Sequence, residues 1–569
     1  MQKSDYPIRQ LVDMVESGDL RLPEMQRGYV WRATRVRDLM DSLYRGYPSG
    51  VILAWETDEN IETRDFAVES RSAPTRRPLL LLDGQQRLTS LAAVLRGKPV
   101  HVRGRKTPIE LLFNLDHPEQ LTFVHDVDES SDEDAVEGDE TKVDIQQRQE
   151  AMTFVVSSRA LAAKANWVPV GDIFTQSDGP LLKRAGVTSM DDERYDKYTE
   201  RLQRVRAIAE YQYRMDTLES SKSYEEVTEI FVRVNSLGAK LRSSDLALAQ
   251  ITARWRGSLQ QFLKFQNEVD QRGFRLDLSL YLRTLVALTT GQAKFQTVHT
   301  ISLDDLRSGW ERTQKAIHFS LNLLETNLGI DSPVLLSSPS LLVTTAYWAD
   351  QNNFHLTAAE TAAFQRWFLL ANAKGRYSRG SMETLLDQDL AVVRSGQGSE
   401  GLLRRLRSQV GRLDFTAEEL EGKTSRSGAF KTMFLAFRKD GASDWASGLV
   451  ISSKHGGKAD KIEFHHVFPK AYLRRERPGI DPKSINDIAN LAFIGSTTNK
   501  QIGAHAPAQY SERFDPQRLS QQLVDFSTGA DADGFETFVR ARRAQIADRL
   551  NEFLGTKSQT PDSGDLTDP

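Results

Sequence analysis

Apolar residues recur with two different periods along the first hundred positions. Val36, Leu39, Met40 and Leu43 follow i, i+3, i+4, i+7 spacing, which predicts an amphipathic helix, and Gly46 is placed to end it. Val51–Trp55 and Leu79–Leu82 are short continuous apolar runs, the pattern of buried strands. Leu88, Leu91, Ala92 and Leu95 return to helical spacing, with Gly97 behind them. Asp83-Gly84-Gln85-Gln86-Arg87 therefore falls at a strand-to-helix junction. The first turn of a helix there would offer N–H groups and a positive dipole end to a phosphate. Val227, Ile230, Phe231 and Val234 share the face of a later helix, and from about 255 to 415 the pattern is helical.

Nearer the C-terminal end the period shortens again. Ile462–Phe464 predicts a short strand entering His465-His466, and Pro469 bends the chain after it. Asn490 starts a second strand, Leu491–Ile494. Gly495 turns the chain, and Ser496 or Thr497 can cap a helix containing Asn499. This β–β–α hairpin carries four polar residues at fixed places. The expected fold is α+β and multidomain: an N-terminal α/β module (1–250), a helical connecting region (251–419), a C-terminal module (420–553) and a disordered tail (554–569).

Composition narrows the class. The chain has 569 residues, 39% hydrophobic and 27% charged, as in soluble globular proteins. No apolar run approaches the roughly 18 residues that span a bilayer, and residues 1–20 lack the apolar core of a signal peptide. With 0 Cys there is no disulfide, thiolate metal site or cysteine nucleophile. A cytoplasmic protein without membrane contact is expected. The net charge of −4 hides two opposed segments. Residues 126–140 hold nine acids and no Lys or Arg, the composition of a disordered surface loop. Residues 423–483 hold thirteen Lys/Arg against six Asp/Glu, an excess that attracts a phosphate backbone.

The C-terminal residue types suit phosphodiester hydrolysis. A histidine titrating near neutrality can take a proton from water. A histidine and an asparagine together can hold one divalent ion against a scissile phosphate and its leaving 3′ oxygen, and such a site suits Mg²⁺ or Mn²⁺. At the N-terminal junction, Arg87 offers a planar fork for phosphate and Gly84 permits close backbone approach. Asp83 could hold a metal or a water, and Gln85 and Gln86 could contact phosphate or orient that water. The chain has no G-x-x-x-x-G-K-[ST] and is not a P-loop enzyme.

Two resemblances extend this reading. His465-His466-Val467-Phe468-Pro469 resembles the (D/E/H)-H-x-x-P signature of HNH (His-Me finger) nucleases, with Asn490 and Asn499 at the second and third signature positions. The resemblance implies a ββα-metal module in which His466 is the general base, His465 and Asn499 are metal ligands, and Asn490 orients the base. Pro23-Glu24-Met25-Gln26-Arg27-Gly28-Tyr29-Val30-Trp31, Leu82–Arg87 and Phe231-Val232-Arg233-Val234-Asn235-Ser236-Leu237-Gly238 together resemble the ParB/sulfiredoxin-like nucleotidase domain of GmrSD-type restriction enzymes. That resemblance implies a nucleotide pocket formed by Gln26, Arg27, Asp83, Gly84, Gln85, Gln86, Arg87, Arg233 and Asn235, with Asp83 and Gln86 in hydrolysis. Tyr29 and Trp31 are candidates for sensing modified DNA.

A type IV enzyme follows from the resemblance. Its expected target is modified double-stranded phage DNA, carrying glucosylated or hydroxymethylated cytosine or a phosphorothioate backbone. The expected nucleotide is an NTP, with GTP favoured, and a homo-oligomer is compatible with the sequence. Two rival readings are a nucleotide-switched DNA-binding regulator with an inactive HNH centre, and an RNA-cleaving toxin that aborts infection.

Overall fold

The computed structural model describes residues 1–23, 31–57, 63–64, 79–97, 109–118, 149–237, 242–452, 462–527 and 529–556. Gln26, Arg27 and Tyr29, the acidic run 126–140 and the tail from 557 lie outside these residues, as does the side chain of Asn235. The chain forms two compact units, Met1–Gln261 and Phe262–Pro569. It is mixed α+β. Among the described residues no helix is long and apolar enough to cross a membrane.

The first unit is built on a six-stranded mixed sheet. Its strands are β1 (Gln2–Pro7), β2 (Leu20–Pro23), β3 (Ile52–Trp55), β4 (Thr63–Arg64), β5 (Leu79–Asp83) and, after a smaller sheet, β9 (Gln212–Leu218), in the order β1-β9-β3-β5-β2-β4. The smaller antiparallel sheet comprises β6 (Leu111–Asn114), β7 (Phe154–Val156) and β8 (Trp167–Pro169), with β6 in the centre. Strands β3 and β5 are unbroken apolar runs because helices cover both faces of the main sheet. Ile52, Ala54 and Leu81 face a core shared with α1 (Ile8–Ser17), α2 (Ala33–Tyr44) and α3 (Gln85–Leu95). Leu53, Trp55, Leu80 and Leu82 face the other way, against Tyr224, Val227 and Phe231 of α4 (Tyr224–Leu237).

The expected helices and strands of this unit form with small differences. Strand β3 begins at Ile52 and leaves Val51 42% exposed. Strand β5 runs one residue further than expected, through Asp83. Its pairing with β3 is irregular between Leu53 and Ala54, so Asp83 stands opposite Leu53 beside a bulge. On α4 Val227 and Phe231 are buried in this core, whereas Val234, expected on the same face, is exposed.

Among its described residues the second unit is helical apart from one hairpin and a single bridge between Ser443 and Val450. Long helices such as Leu303–Asn322, Leu341–Gln351 and Ala358–Lys374 carry its interior, where the rings of Trp348 and Phe364 stack at 3.8 Å. Then follow α5 (Gly428–Lys439), β10 (Ile462–His466), β11 (Leu491–Gly495), α6 (Ser496–Ile502) and α7 (Phe535–Leu554). Strands β10 and β11 pair antiparallel, with His465 opposite Ala492 and His466 opposite Leu491. Phe430, Phe434 and Phe437 of α5 pack their rings against Phe493 of β11, which backs the hairpin with aromatic surface. Helix α7 runs through Leu554 and closes on Gly555 in the left-handed conformation.

Candidate functional site

The hairpin brings His465, His466 and Asn499 onto one small frame. Both histidines lie on β10 itself, which continues past Phe464 to His466. Adjacent strand residues point to opposite faces, and their partners differ accordingly. His465 is 3% exposed, and its Nδ1 lies 2.7 Å from Oδ1 of Asn499 on α6. Among the described residues its Nε2 is buried without a hydrogen-bond partner, and the ring meets Trp445 edge-on at 5.9 Å. His466 is half-buried, and its Nε2 lies 3.0 Å from Oδ1 of Asn486. A carbonyl oxygen accepts, so the proton sits on Nε2 and Nδ1 keeps its lone pair.

Both imidazoles are neutral at pH 7. Burial pushes His465 down to about 3, against an opposing contribution from Asn499 and with help from the neighbouring His466. Burial likewise pushes His466 down to about 4, with Lys470 adding to the effect and Asn486 opposing it. A neutral His466 can accept a proton, and a neutral His465 can offer a lone pair to a cation.

Asn490 is fully buried and touches neither imidazole. Its side-chain amide donates to the carbonyls of Phe468 (3.2 Å) and Ile485 (2.9 Å), and its Oδ1 accepts from the Phe468 N–H at 2.8 Å. Its own carbonyl accepts from the Val467 N–H at 2.8 Å. Asn490 therefore pins the backbone directly after His466, and it ends a short turn rather than starting the strand. Beside it, the buried carboxylate of Asp487 accepts from the N–H groups of Gly422 and Ala489 and from Arg543, each at 2.9 Å. Asn486 and Asp487 escaped the sequence reading because the 24-residue gap between His466 and Asn490 shows no periodicity.

His465 and Asn499 fit a divalent ion. Nδ1 of His465 donates to Oδ1 of Asn499 at 2.7 Å; with the imidazole proton moved to Nε2, the neutral ring would turn the Nδ1 lone pair, beside the amide oxygen, to one cation. Among the described residues no group of three or more His, Cys, Asp or Glu could hold a metal. An ion at this pair would also take oxygen ligands from water and phosphate, as Mg²⁺ does at substrate phosphates.

In the first unit the strand-to-helix junction forms as expected. Gly84 has φ +104° at the start of α3, a conformation glycine adopts without strain. Arg87 is drawn inward. Its Nη1 donates to the Ser49 carbonyl at 2.7 Å, and its Nη2 donates to the Val51 carbonyl and to Asp83, each at 2.9 Å. A Cβ added at Gly50 would stand 2.3 Å from Arg87 Nη1, so the turn before β3 approaches the guanidinium as only glycine can. Gln85 is buried, and Oε1 of Gln86 accepts from the backbone N–H of half-buried Trp31 at 3.1 Å. That contact joins the end of the Pro23–Trp31 motif to Asp83–Arg87. Arg233 is exposed and pairs with Glu229 on its own helix.

The first unit is thus a mixed-sheet domain with a glycine-initiated helix after β5. Residues 8–252 match the family model "GmrSD restriction endonuclease, N-terminal domain", so this part of the chain is similar to that domain. Over 545 residues the chain is also 22% identical to "Uncharacterized protein MJ0686" of Methanocaldococcus jannaschii, covering 89% of this chain and 86% of that protein.

Proposed function

We propose that this protein is a metal-dependent DNA endonuclease of the restriction type, with its hydrolytic centre at His465, His466 and Asn499. The observation that carries the reading is the pairing of His465 with Asn499 beside a tautomer-fixed His466 on a ββα hairpin, in a chain whose residues 8–252 match the GmrSD N-terminal domain model.

His466 acts as the general base. Asn486 holds its Nε2–H, so Nδ1 takes the proton from the attacking water as that oxygen bonds to phosphorus and the bond to the leaving 3′ oxygen breaks. A DNA phosphate beside His466 favours its protonated form, which raises its basicity from the low value set by burial. His465 and Asn499 would hold one Mg²⁺ or Mn²⁺, which supplies charge stabilisation at the phosphate and its leaving oxygen. Asn490 and Asp487 keep the His466 backbone and the Asn486 loop in place. The basic excess in 423–483 attracts the DNA backbone.

In the first unit, the Asp83–Arg87 junction binds and hydrolyses an NTP, with GTP favoured. Asp83 and Gln86 serve the attacking water, and Arg87 holds Asp83 against the 49–51 turn. Gln26, Arg27, Gln85, Arg233 and Asn235 complete the pocket, and Tyr29 and Trp31 contact modified DNA. The target is modified phage DNA. The test is digestion of DNAs from phages of different modification, beside unmodified plasmid and RNA, with and without GTP. Cleavage confined to one modified DNA and altered by GTP supports the reading. Binding without cleavage indicates a regulator, and preference for RNA indicates a toxin.

A further inference from the structure

Asp444 lies in the loop between α5 and β10 and is 3% exposed. Among the described residues its side-chain partners are all uncharged donors. One carboxylate oxygen accepts from the N–H groups of Ala446 (3.2 Å) and Ser447 (2.7 Å) and from the hydroxyls of Ser447 (2.8 Å) and Thr498 (2.8 Å). The other accepts from the N–H of Gly495 at 2.7 Å. Burial pushes the carboxyl up, but these donors outweigh it and keep the group below the usual carboxylate range.

The placement of these donors matters more than their number. Gly495 ends β11 and stands at the N-cap of α6, directly before its first residue. Thr498 immediately precedes Asn499. The carboxylate therefore grips α6 at both sides of its first turn and fixes the helix that presents Asn499. Trp445, the next residue in sequence, is buried and meets the His465 ring edge-on at 88°. Tyr510 stacks on Trp445 at 6.4 Å, and Arg518 donates to the carbonyls of Trp445 (3.2 Å) and Ala446 (2.9 Å). The loop closes on itself through the Asp444 N–H to the Leu449 carbonyl at 2.8 Å. Two adjacent residues of one braced loop thus act on the two members of the His465–Asn499 pair.

We propose that Asp444 is a positioning residue, holding α6 so that Asn499 and His465 stay at the spacing one divalent ion requires. The inference rests on the reading of that pair as the ion-holding residues. Replacing the carboxylate by an amide would set an NH₂ group against N–H and O–H donors, which loosens the grip while conserving volume.

The test is Mn²⁺ titration of the full-length protein, followed by the paramagnetic resonance of free Mn²⁺, beside circular dichroism and thermal melting. The binding lost in His465→Ala defines the site. In Asp444→Asn, affinity at that site falls about 10- to 100-fold, the usual effect of removing a residue that orients metal ligands. Cleavage of modified phage DNA by the same variant recovers at raised Mn²⁺, which a purely structural role would not produce. If Asp444→Asn does not fold, Thr498→Val decides: it weakens Mn²⁺ binding, whereas Thr498→Ser retains it. Wild-type Mn²⁺ affinity in folded Asp444→Asn or in Thr498→Val overturns the proposal. Unchanged Mn²⁺ binding in His465→Ala overturns the ion-site reading itself, and the proposal with it.

Discussion

Nε2 of His466 and Oδ1 of Asn486 stand 3.0 Å apart, one on a strand and the other in the loop before β11. The contact fixes which imidazole nitrogen is free. Asn486→Ala should lower the cleavage rate about 10- to 100-fold with little change in substrate KM, as loss of a residue that orients a reacting histidine does. Asn486→Asp should retain more activity and move the acid limb of the pH–rate profile upward, because a carboxylate favours the charged imidazole. Steady-state nicking across pH checks both, and equal rates for Asn486→Ala and wild type would remove the orienting role.

Asn490 acts on structure. Asn490→Ala leaves buried backbone groups of Phe468 and Ile485 without partners, at about 1–3 kcal/mol for each unsatisfied group. Chemical denaturation should show a large loss of stability in the second unit. A variant of wild-type stability but no activity would instead assign Asn490 to the chemistry.

Arg87 and Gly50 should behave as a pair. Arg87→Ala removes the link between Asp83 and the 49–51 turn, and Gly50→Ala forces a Cβ into the guanidinium at a backbone φ of +100°. Both should weaken binding of a non-hydrolysable GTP analogue measured by calorimetry. Unchanged affinity in both variants would move the nucleotide site elsewhere.

His117 gives the first unit a pH dependence. Burial holds its pKa below the ordinary histidine value, and its Nε2 meets the Tyr44 hydroxyl at 3.0 Å. The unfolded chain therefore takes up a proton near the ordinary value that the folded chain does not. The stabilising effect is full above that value and is lost as pH falls toward the lowered folded pKa. Thermal melting should show stability declining below about pH 6.5, with a shallower decline in His117→Gln. Parallel pH profiles for the two proteins would contradict this.

Much of the candidate machinery was legible because it coincides with strong local signals. Apolar runs placed β3, β5 and β11, and helical spacing with Gly46 and Gly97 placed α2 and α3. The ββα hairpin followed from short apolar runs and a turn glycine. Long-range partners left no such trace. Asp444 precedes His465 by a loop without periodicity, and nothing in the sequence marks it as a residue that grips α6. The inward aim of Arg87 also depends on the 49–51 turn, whose role emerges only when β3 and β5 pair.

The most direct test of the account is cleavage of modified phage DNA, with unmodified plasmid as the control, by the full-length protein with Mg²⁺ or Mn²⁺, comparing wild type with His466→Ala. The account predicts metal-dependent cleavage by wild type. It also predicts a loss of about 10²–10⁴ in rate for His466→Ala, with circular dichroism and NTP hydrolysis unchanged, because a general base is removed without core volume. Cleavage by His466→Ala at the wild-type rate would contradict it.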